Sequence, residues 1–161
     1  MQKKNKNNQK KYPWKKQSTG KNGNKAKNPQ DLKTQEADMK PKFIDHIVII
    51  IKDIKKTEKF YNKFLGKPEY TYKDSISYKI GETKIFFGLP YGEWRSTNKD
   101  LSGLNHLAFG VRTIEELRKF KEILNDSNIK NSGIIKEKDS KKDFIWFDDP
   151  DGIRLEFYLR K

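Results

Sequence analysis

The feature that most constrains the fold is an internal repeat with an offset of sixty residues. His46 aligns with His106, and Phe60 aligns with Phe120. In each half, an apolar run containing the histidine precedes a segment with helical spacing and then three short segments typical of strands. Because several independent features agree at one offset, the chain is predicted to contain two copies of one supersecondary unit.

The first copy begins with a β-branched apolar run. Residues 43–51 contain one histidine among apolar side chains and predict a buried strand. Asp53 is the predicted N-cap of a helix over about 54–65, and Gly66 is predicted to end that helix. Three strands are predicted to follow, at about 69–73, 75–80 and 83–88.

The second copy repeats this order after a loop at about 89–102, which is rich in Gly, Pro, Ser and Asn. Residues 104–111 predict a strand, and Thr113 with Glu116 predicts a capping box that begins a helix running to about 126. Strands are predicted at about 133–138, 143–148 and 153–159. The expected fold is therefore α+β, with tandem βαβββ modules at about 43–88 and 103–160.

The first quarter of the chain has a different composition. Residues 1–42 contain thirteen lysines and only three acidic residues, so they carry ten of the fourteen net positive charges. With few apolar side chains, such a segment cannot offset the entropy of ordering. The prediction is a disordered lysine-rich tail over 1–41 before a folded domain over 42–161. Two interpretations of the tail remain: weak binding to nucleic acid or another polyanion, with Tyr12 and Trp14 stacking on bases, or a solvated tail.

Composition also excludes several classes of function. The chain has no cysteine, so disulfides, thiol nucleophiles and thiolate metal sites are excluded. It has neither a run of 18 apolar residues nor the apolar core of a secretory signal. The default expectation is a cytoplasmic protein that does not span a membrane.

Three polar residues inside apolar strands indicate a metal site. His46 and His106, the only histidines, lie at equivalent places in the repeat, and Glu156 lies between Leu155 and Phe157. A lone histidine in a strand is more often a core residue, and that structural interpretation is the rival here. A buried carboxylate, however, requires a partner, and two imidazoles with one carboxylate bind a divalent metal while leaving positions open for substrate.

These features together resemble the vicinal oxygen chelate superfamily, which includes glyoxalase I, fosfomycin-resistance proteins, extradiol dioxygenases and bleomycin-resistance proteins. Three segments carry the resemblance: Asp-His-Ile-Val-Ile at 45–49 with Phe60-Tyr61 and Leu65-Gly66, Asn-His-Leu-Ala-Phe-Gly-Val at 105–111, and Asp-Pro-Asp-Gly at 149–152 leading to Leu155-Glu156-Phe157. The resemblance implies a curled mixed sheet around a cleft with a divalent metal at its centre.

The resemblance also assigns roles to particular residues. It implies that His46, His106 and Glu156 hold one divalent ion, which would be Zn, Mn, Ni or Fe. A fourth ligand would come from 84–87, but that segment offers none. By alternation, Arg154 and Tyr158 flank Glu156 on the same face. Tyr158 is predicted to donate to a bound oxyanion, and Arg154 to hold a substrate carboxylate or phosphonate; for each the structural alternative is ordinary surface packing.

Two classes of function follow. The first is a metal-dependent enzyme that chelates a small oxygenated substrate, of the lyase, thiol transferase or dioxygenase type. The second is a metal-free small-molecule or antibiotic-binding protein of the bleomycin-resistance type, whose aromatic walls would come from Phe86, Phe87, Trp94 and Trp146. Either is expected to form a homodimer, and whether one chain or two build the cleft stays open.

Overall fold

The computed structural model describes residues 40–160, and the compact folded unit begins at Pro41. The tail predicted over 1–41 falls almost wholly outside the described residues, so its disorder and its polyanion binding stay predictions. Within the described part of the chain, no helix combines the length and apolar character needed to cross a membrane.

The first module is a four-stranded mixed sheet with one helix. Its strands and helix follow along the chain as β1 His46–Ile50, α1 Ile54–Leu65, β2 Tyr70–Thr71, β3 Ser75–Ile80 and β4 Thr83–Gly88. The strands are ordered β1-β4-β3-β2, with β1 parallel to β4 and the other pairs antiparallel. The parallel pairing arises because α1 carries the chain across the sheet, so that β1 forms an outer edge.

The second module has the same topology. Its elements are β5 His106–Val111, α2 Ile114–Asp126, β6 Ile135–Lys136, β7 Asp143–Asp148 and β8 Arg154–Leu159. The strands are ordered β5-β8-β7-β6, with β5 parallel to β8, so β5 is the equivalent outer edge. The α+β class and the tandem βαβββ order predicted from the repeat are confirmed.

Both helices begin at the predicted caps. The Asp53 side chain accepts a hydrogen bond of 3.1 Å from the backbone N–H of Lys56 at the start of α1. At the start of α2, the Thr113 and Glu116 side chains accept from each other's backbone N–H groups, which completes the capping box. These bonds satisfy amides that would otherwise lack a partner in the first turn.

The core lies between the helices and the inner faces of the two sheets. Phe64 of α1 contacts Phe147, Phe109 and Phe157 of the second module, with ring centroids 5.6, 6.4 and 5.4 Å away. Phe120 of α2 stacks on Phe157 at 4.0 Å. The modules therefore pack through their helices, which leaves the opposite face of each sheet uncovered.

The prediction that the first strand is buried is wrong for one of its faces. Ile49 is buried, but Val48 and Ile50 are 59% and 45% exposed. Their β-branched composition reflects a strand, as predicted. The helices cover only the face that carries Ile49, so the face that carries Val48 and Ile50 stays open.

The Asp-Pro-Asp-Gly turn joins the two modules. The Tyr61 hydroxyl of α1 donates to Asp149 at 3.0 Å, and the Lys52 backbone N–H donates to Asp151 at 3.0 Å. Asp149 also accepts from the N–H groups of Asp151 and Ile153 within its own turn. Burial raises the pKa of Asp149 to about 6, against the opposing effect of these hydrogen bonds. This turn therefore has a structural role at the module junction.

Candidate functional site

The strand registers place the two histidines in equivalent surroundings on the uncovered faces. His46 on β1 lies opposite Lys84 on β4, and His106 on β5 lies opposite Arg154 on β8. Both histidines are exposed, with 51% and 44% of their side-chain surface accessible. The sixty-residue repeat therefore has a structural meaning, since each module presents one imidazole at the start of its edge strand.

The same registers identify the position of the missing ligand. Two residues after the histidines, Val48 lies opposite Phe86 and Ala108 lies opposite Glu156. Phe86 thus occupies in the first module the place that Glu156 occupies in the second. Its ring meets the His46 ring edge-on, with centroids 5.7 Å apart. The sequence limited the position of the fourth ligand to residues 84–87, and the strand register identifies it as residue 86.

A neighbouring side chain orients each imidazole. His46 Nδ1 lies 2.8 Å from Asp45 Oδ2, and His106 Nδ1 lies 2.8 Å from Asn105 Oδ1. The Asn105 amide nitrogen donates to the carbonyl of Lys99 at 2.8 Å, which turns the Asn105 oxygen toward His106. An amide oxygen only accepts, so this contact favours the tautomer with the proton on Nδ1, in which the Nε2 lone pair is available to a ligand. These supporting roles of Asp45 and Asn105 were not predicted from the sequence.

Two of the three predicted ligands meet within one chain. His106 Nε2 lies 3.8 Å from Glu156 Oε2, and the Glu156 side chain is only 15% exposed. A divalent ion bonds such atoms at about 2.0–2.2 Å, so one ion can reach both donors. His46 does not join them: among residues 40–160 of a single chain, no three His, Asp or Glu side chains form a group that could hold a metal.

Arg154 is held rigidly beside this pair. Its Nε donates to Asp148 Oδ1 at 2.6 Å, and its guanidinium carbon lies 4.0 Å from the centroid of the Trp146 ring. Only 18% of the Arg154 side chain is exposed. On the side of Arg154 toward the Asp-Pro-Asp-Gly turn, a cavity of about 470 Å³ is lined by these three residues, Phe60, Asp149 and Pro150, but not by His106 or Glu156. Arg154 therefore lies fixed at the rim of a cavity, and Trp146, suggested earlier as an aromatic wall, lines it.

Tyr158 lies on the same face as Glu156 and is oriented by a loop. Its hydroxyl lies 2.7 Å from Ser140 Oγ and donates to Glu137 Oε2 at 3.4 Å. Hydrogen bonds from Ser140 lower the pKa of Glu137, so this acceptor stays ionised. The Lys142 ammonium lies 5.8 Å from the centroid of the Tyr158 ring. The hydroxyl is thus fixed at the edge of the open face.

The other aromatic residues suggested as cleft walls divide between two locations. Phe87 is fully buried in the core, so its ring does not form an exposed aromatic wall. Trp94 lies beneath the Lys52 ammonium, 5.1 Å from the ring centroid, next to the Asp-Pro-Asp-Gly turn. Of the four candidates, Phe86 and Trp146 lie on the open faces.

A second cavity, of about 530 Å³, lies on the open face of the first module and was not predicted. It is lined by Glu69, Tyr70, Ser75, Ser77, Lys84 and Phe86. The Lys84 ammonium lies 3.2 Å from the Glu69 carboxylate. Ser77 pairs with Phe86 as Trp146 pairs with Glu156, so a small residue stands here where the second module has an indole.

Two mixed sheets of four strands, each with a histidine at the start of its edge strand, define a class of protein. A family model described as the Glyoxalase/Bleomycin resistance protein/Dioxygenase superfamily matches residues 43–157. The chain belongs to this superfamily, as the resemblance predicted. Members often use a divalent metal, bind small molecules and commonly form homodimers.

Individual proteins and solved structures are also similar to this chain. It is similar to the YwkD protein of Bacillus subtilis, with 35% identity over 73% of this chain and 96% of YwkD. A glyoxalase family protein from Enterococcus faecalis superposes with a TM-score of 0.57 and 27% identity over 73% of this chain and 97% of the other. The fosfomycin resistance protein FosX of Listeria monocytogenes has a TM-score of 0.60 at 20% identity, over 76% and 96% of the two chains. This last similarity shows the shared fold.

Proposed function

We propose that this protein is a divalent-metal-dependent enzyme that chelates a small oxygenated substrate. The observation that carries the proposal is the orientation of the His106 ring: Asn105 occupies Nδ1, and Nε2 faces Glu156 at 3.8 Å. An imidazole with one nitrogen held by an acceptor and the other beside a carboxylate is the arrangement that a metal ligand requires.

We assign His46 as the third ligand, supplied by a second copy of the chain. Within one chain, residues 40–160 hold no three-ligand group, although the Nε2 atom of His46 is left available by its Nδ1 contact with Asp45. His46 also begins an outer-edge strand whose apolar side chains Val48 and Ile50 are exposed. A homodimer that brings β1 of one copy beside β5 of the other would cover this surface and complete the site.

The protein's own groups would then orient the substrate. A bound divalent ion, such as Zn, Mn, Ni or Fe, supplies Lewis acidity toward substrate oxygens. The Tyr158 hydroxyl, held by Ser140, donates to an oxygen that gains negative charge. Arg154, already fixed by Asp148 and Trp146, attracts an ionised group of the substrate to the rim. The reaction would be of the lyase, thiol transferase or dioxygenase type.

A metal-free binding protein is the second candidate function. One observation favours it: a protonated His106 would form an ion pair with Glu156 at the same 3.8 Å, without a metal. The exposed face beside this pair also presents the rings of Phe144 and Trp146, which suit a flat ligand.

Metal content separates the two candidates. The full-length chain, purified without a histidine tag, is assayed by plasma mass spectrometry beside His106→Ala and the control Lys121→Ala on the exposed surface of α2. The enzyme proposal expects about one tightly bound divalent ion per chain, lost in His106→Ala and retained in the control. Equal metal content in the wild type and His106→Ala would reject the His106 metal site, and absence of metal from all three proteins would favour the binding protein.

A further inference from the structure

The two modules differ in the charge of one row of residues that runs across three strands. In the second module the row is His106, Arg154 and Asp148, and Arg154 forms an ion pair with Asp148 at 2.6 Å. In the first module the equivalent row is His46, Lys84 and Lys79. Lys79 in the first module therefore occupies the position of Asp148 in the second, so a cation replaces a carboxylate.

Lys79 and Lys84 lie directly opposite each other in the antiparallel β3–β4 pair. Like charges at such a position destabilise a sheet. Glu69 neutralises Lys84 at 3.2 Å, but among residues 40–160 no carboxylate lies within ion-pair distance of Lys79. The two lysines and Glu69 together carry one net positive charge, and the carboxylate nearest to His46 is that of Asp45, 2.8 Å from Nδ1. The ammonium group of Lys79, which is unpaired among the described residues, lies opposite Lys84, at a stability cost that the second module avoids.

The cavity beside this row has room for a ligand group. Ser75 and Ser77 stand where Phe144 and Trp146 stand in the second module, and the missing rings leave the cavity of about 530 Å³. Lys84 and both serines form part of its wall, beside the Glu69 carboxylate. The Ser75 hydroxyl donates to Asp74 at 3.4 Å, so Ser77 is the serine whose hydroxyl can donate to an anion. Tyr70, stacked on Tyr72 with ring centroids 5.7 Å apart, forms the outer side.

We propose that Lys84, Lys79 and Ser77 form a subsite for an ionised carboxylate, phosphoryl or phosphonate group of the substrate. Neighbouring strands are about 4.8 Å apart, so this group would lie roughly 5–10 Å from His46. The inference deepens the proposed function, because it makes the substrate of the metal site a small anion. Anion binding itself needs only residues of one module, so it does not depend on metal or on a second chain.

The test is calorimetric titration of full-length, metal-free protein with inorganic phosphate and with methylphosphonate at low ionic strength. Lys84→Gln and Lys79→Gln are compared with Lys121→Gln, which removes the same charge from α2. Loss of a charge-assisted hydrogen bond is expected to weaken phosphate binding about tenfold in the first two variants, while the control keeps the wild-type affinity. Lys84→Arg, which retains the charge, is expected to retain binding.

Equal affinity in all the variants would overturn the subsite and assign phosphate binding to general positive charge, including the lysine-rich first quarter of the chain. Absence of binding to the wild type would overturn it as well. Metal content is measured on a portion of each protein as purified, before the metal is removed for calorimetry, and both Gln variants are expected to match the wild type. A failed subsite with intact metal binding is thereby distinguished from a failed metal site, and circular dichroism confirms that each variant is folded.

Discussion

Phe86 occupies in the first module the register position that Glu156 occupies in the second, opposite the second residue after each histidine. This substitution limits the proposed metal site to three protein ligands. Phe86→Glu is therefore expected to add a fourth ligand and to tighten metal binding by about tenfold or more, the effect of one added charge-assisted contact. Competition with a chromophoric chelator measures the affinity.

Phe86→Leu is the control, since it removes the ring contact with His46 without adding a ligand. An affinity that rises equally in Phe86→Leu and Phe86→Glu would show that the aromatic ring, and not the ligand count, limits binding. A metal affinity that is unchanged in both variants would show that Phe86 does not lie next to the metal.

The Asn105 side chain is predicted to set the protonation of His106. Asn105→Leu removes the acceptor at Nδ1, so the ring loses its preferred tautomer and orientation; metal affinity is expected to fall about 10–100-fold. Asn105→Asp keeps an oxygen acceptor and is expected to fall much less. Nitrogen NMR of the metal-free protein reports which ring nitrogen of His106 carries the proton. A proton mainly on Nε2 in the wild type would contradict the assignment.

Mixed dimers test whether two chains share the site. His46→Ala and His106→Ala chains are each expected to bind no metal. In a heterodimer of the two, however, one of the two shared sites keeps all its ligands, because His46 comes from one chain and His106 with Glu156 from the other. Differently tagged chains, co-expressed and purified as heterodimers, are therefore expected to bind about one ion per dimer. A heterodimer without metal would favour a site within one chain.

Asp149 is predicted to make the stability of the domain depend on pH. Its pKa is raised to about 6 by burial, so the folded state holds this proton more tightly than the unfolded state. The stabilisation is complete below the ordinary aspartate pKa and is lost as pH rises through about 6. For one proton the slope of the unfolding free energy approaches about 1.4 kcal/mol per pH unit.

Asp149→Asn retains an oxygen that can accept from the turn amides and an N–H₂ group that can donate to Tyr61. Unfolding free energies are measured by urea denaturation between pH 4 and 7. The wild type is expected to lose stability relative to Asp149→Asn as pH rises, because only the wild type titrates at this position. Asp126→Asn, at the exposed end of α2, serves as the control. Parallel pH profiles for the wild type and Asp149→Asn would disprove the predicted titration.

Local sequence determined the elements of this fold. Asp53 and Thr113 fix where the helices begin because capping acts within three residues, and the sixty-residue repeat predicts the module order. The alternation of the last strand also predicts which residues share a face with Glu156. These signals depend on neighbours a few residues apart, so they can be read without knowing the fold.

Only the tertiary structure decided what surrounds each predicted residue. The register of β4 against β1 placed Phe86 opposite Val48, and the register of β3 brought Lys79 opposite Lys84. Because the modules pack through their helices, the face of the sheet that carries His46 is open. Within one chain, His46 therefore does not lie beside His106 and Glu156. Strand pairing and module packing join residues far apart in the chain, and a local pattern carries no information about such contacts because many registers satisfy it equally well.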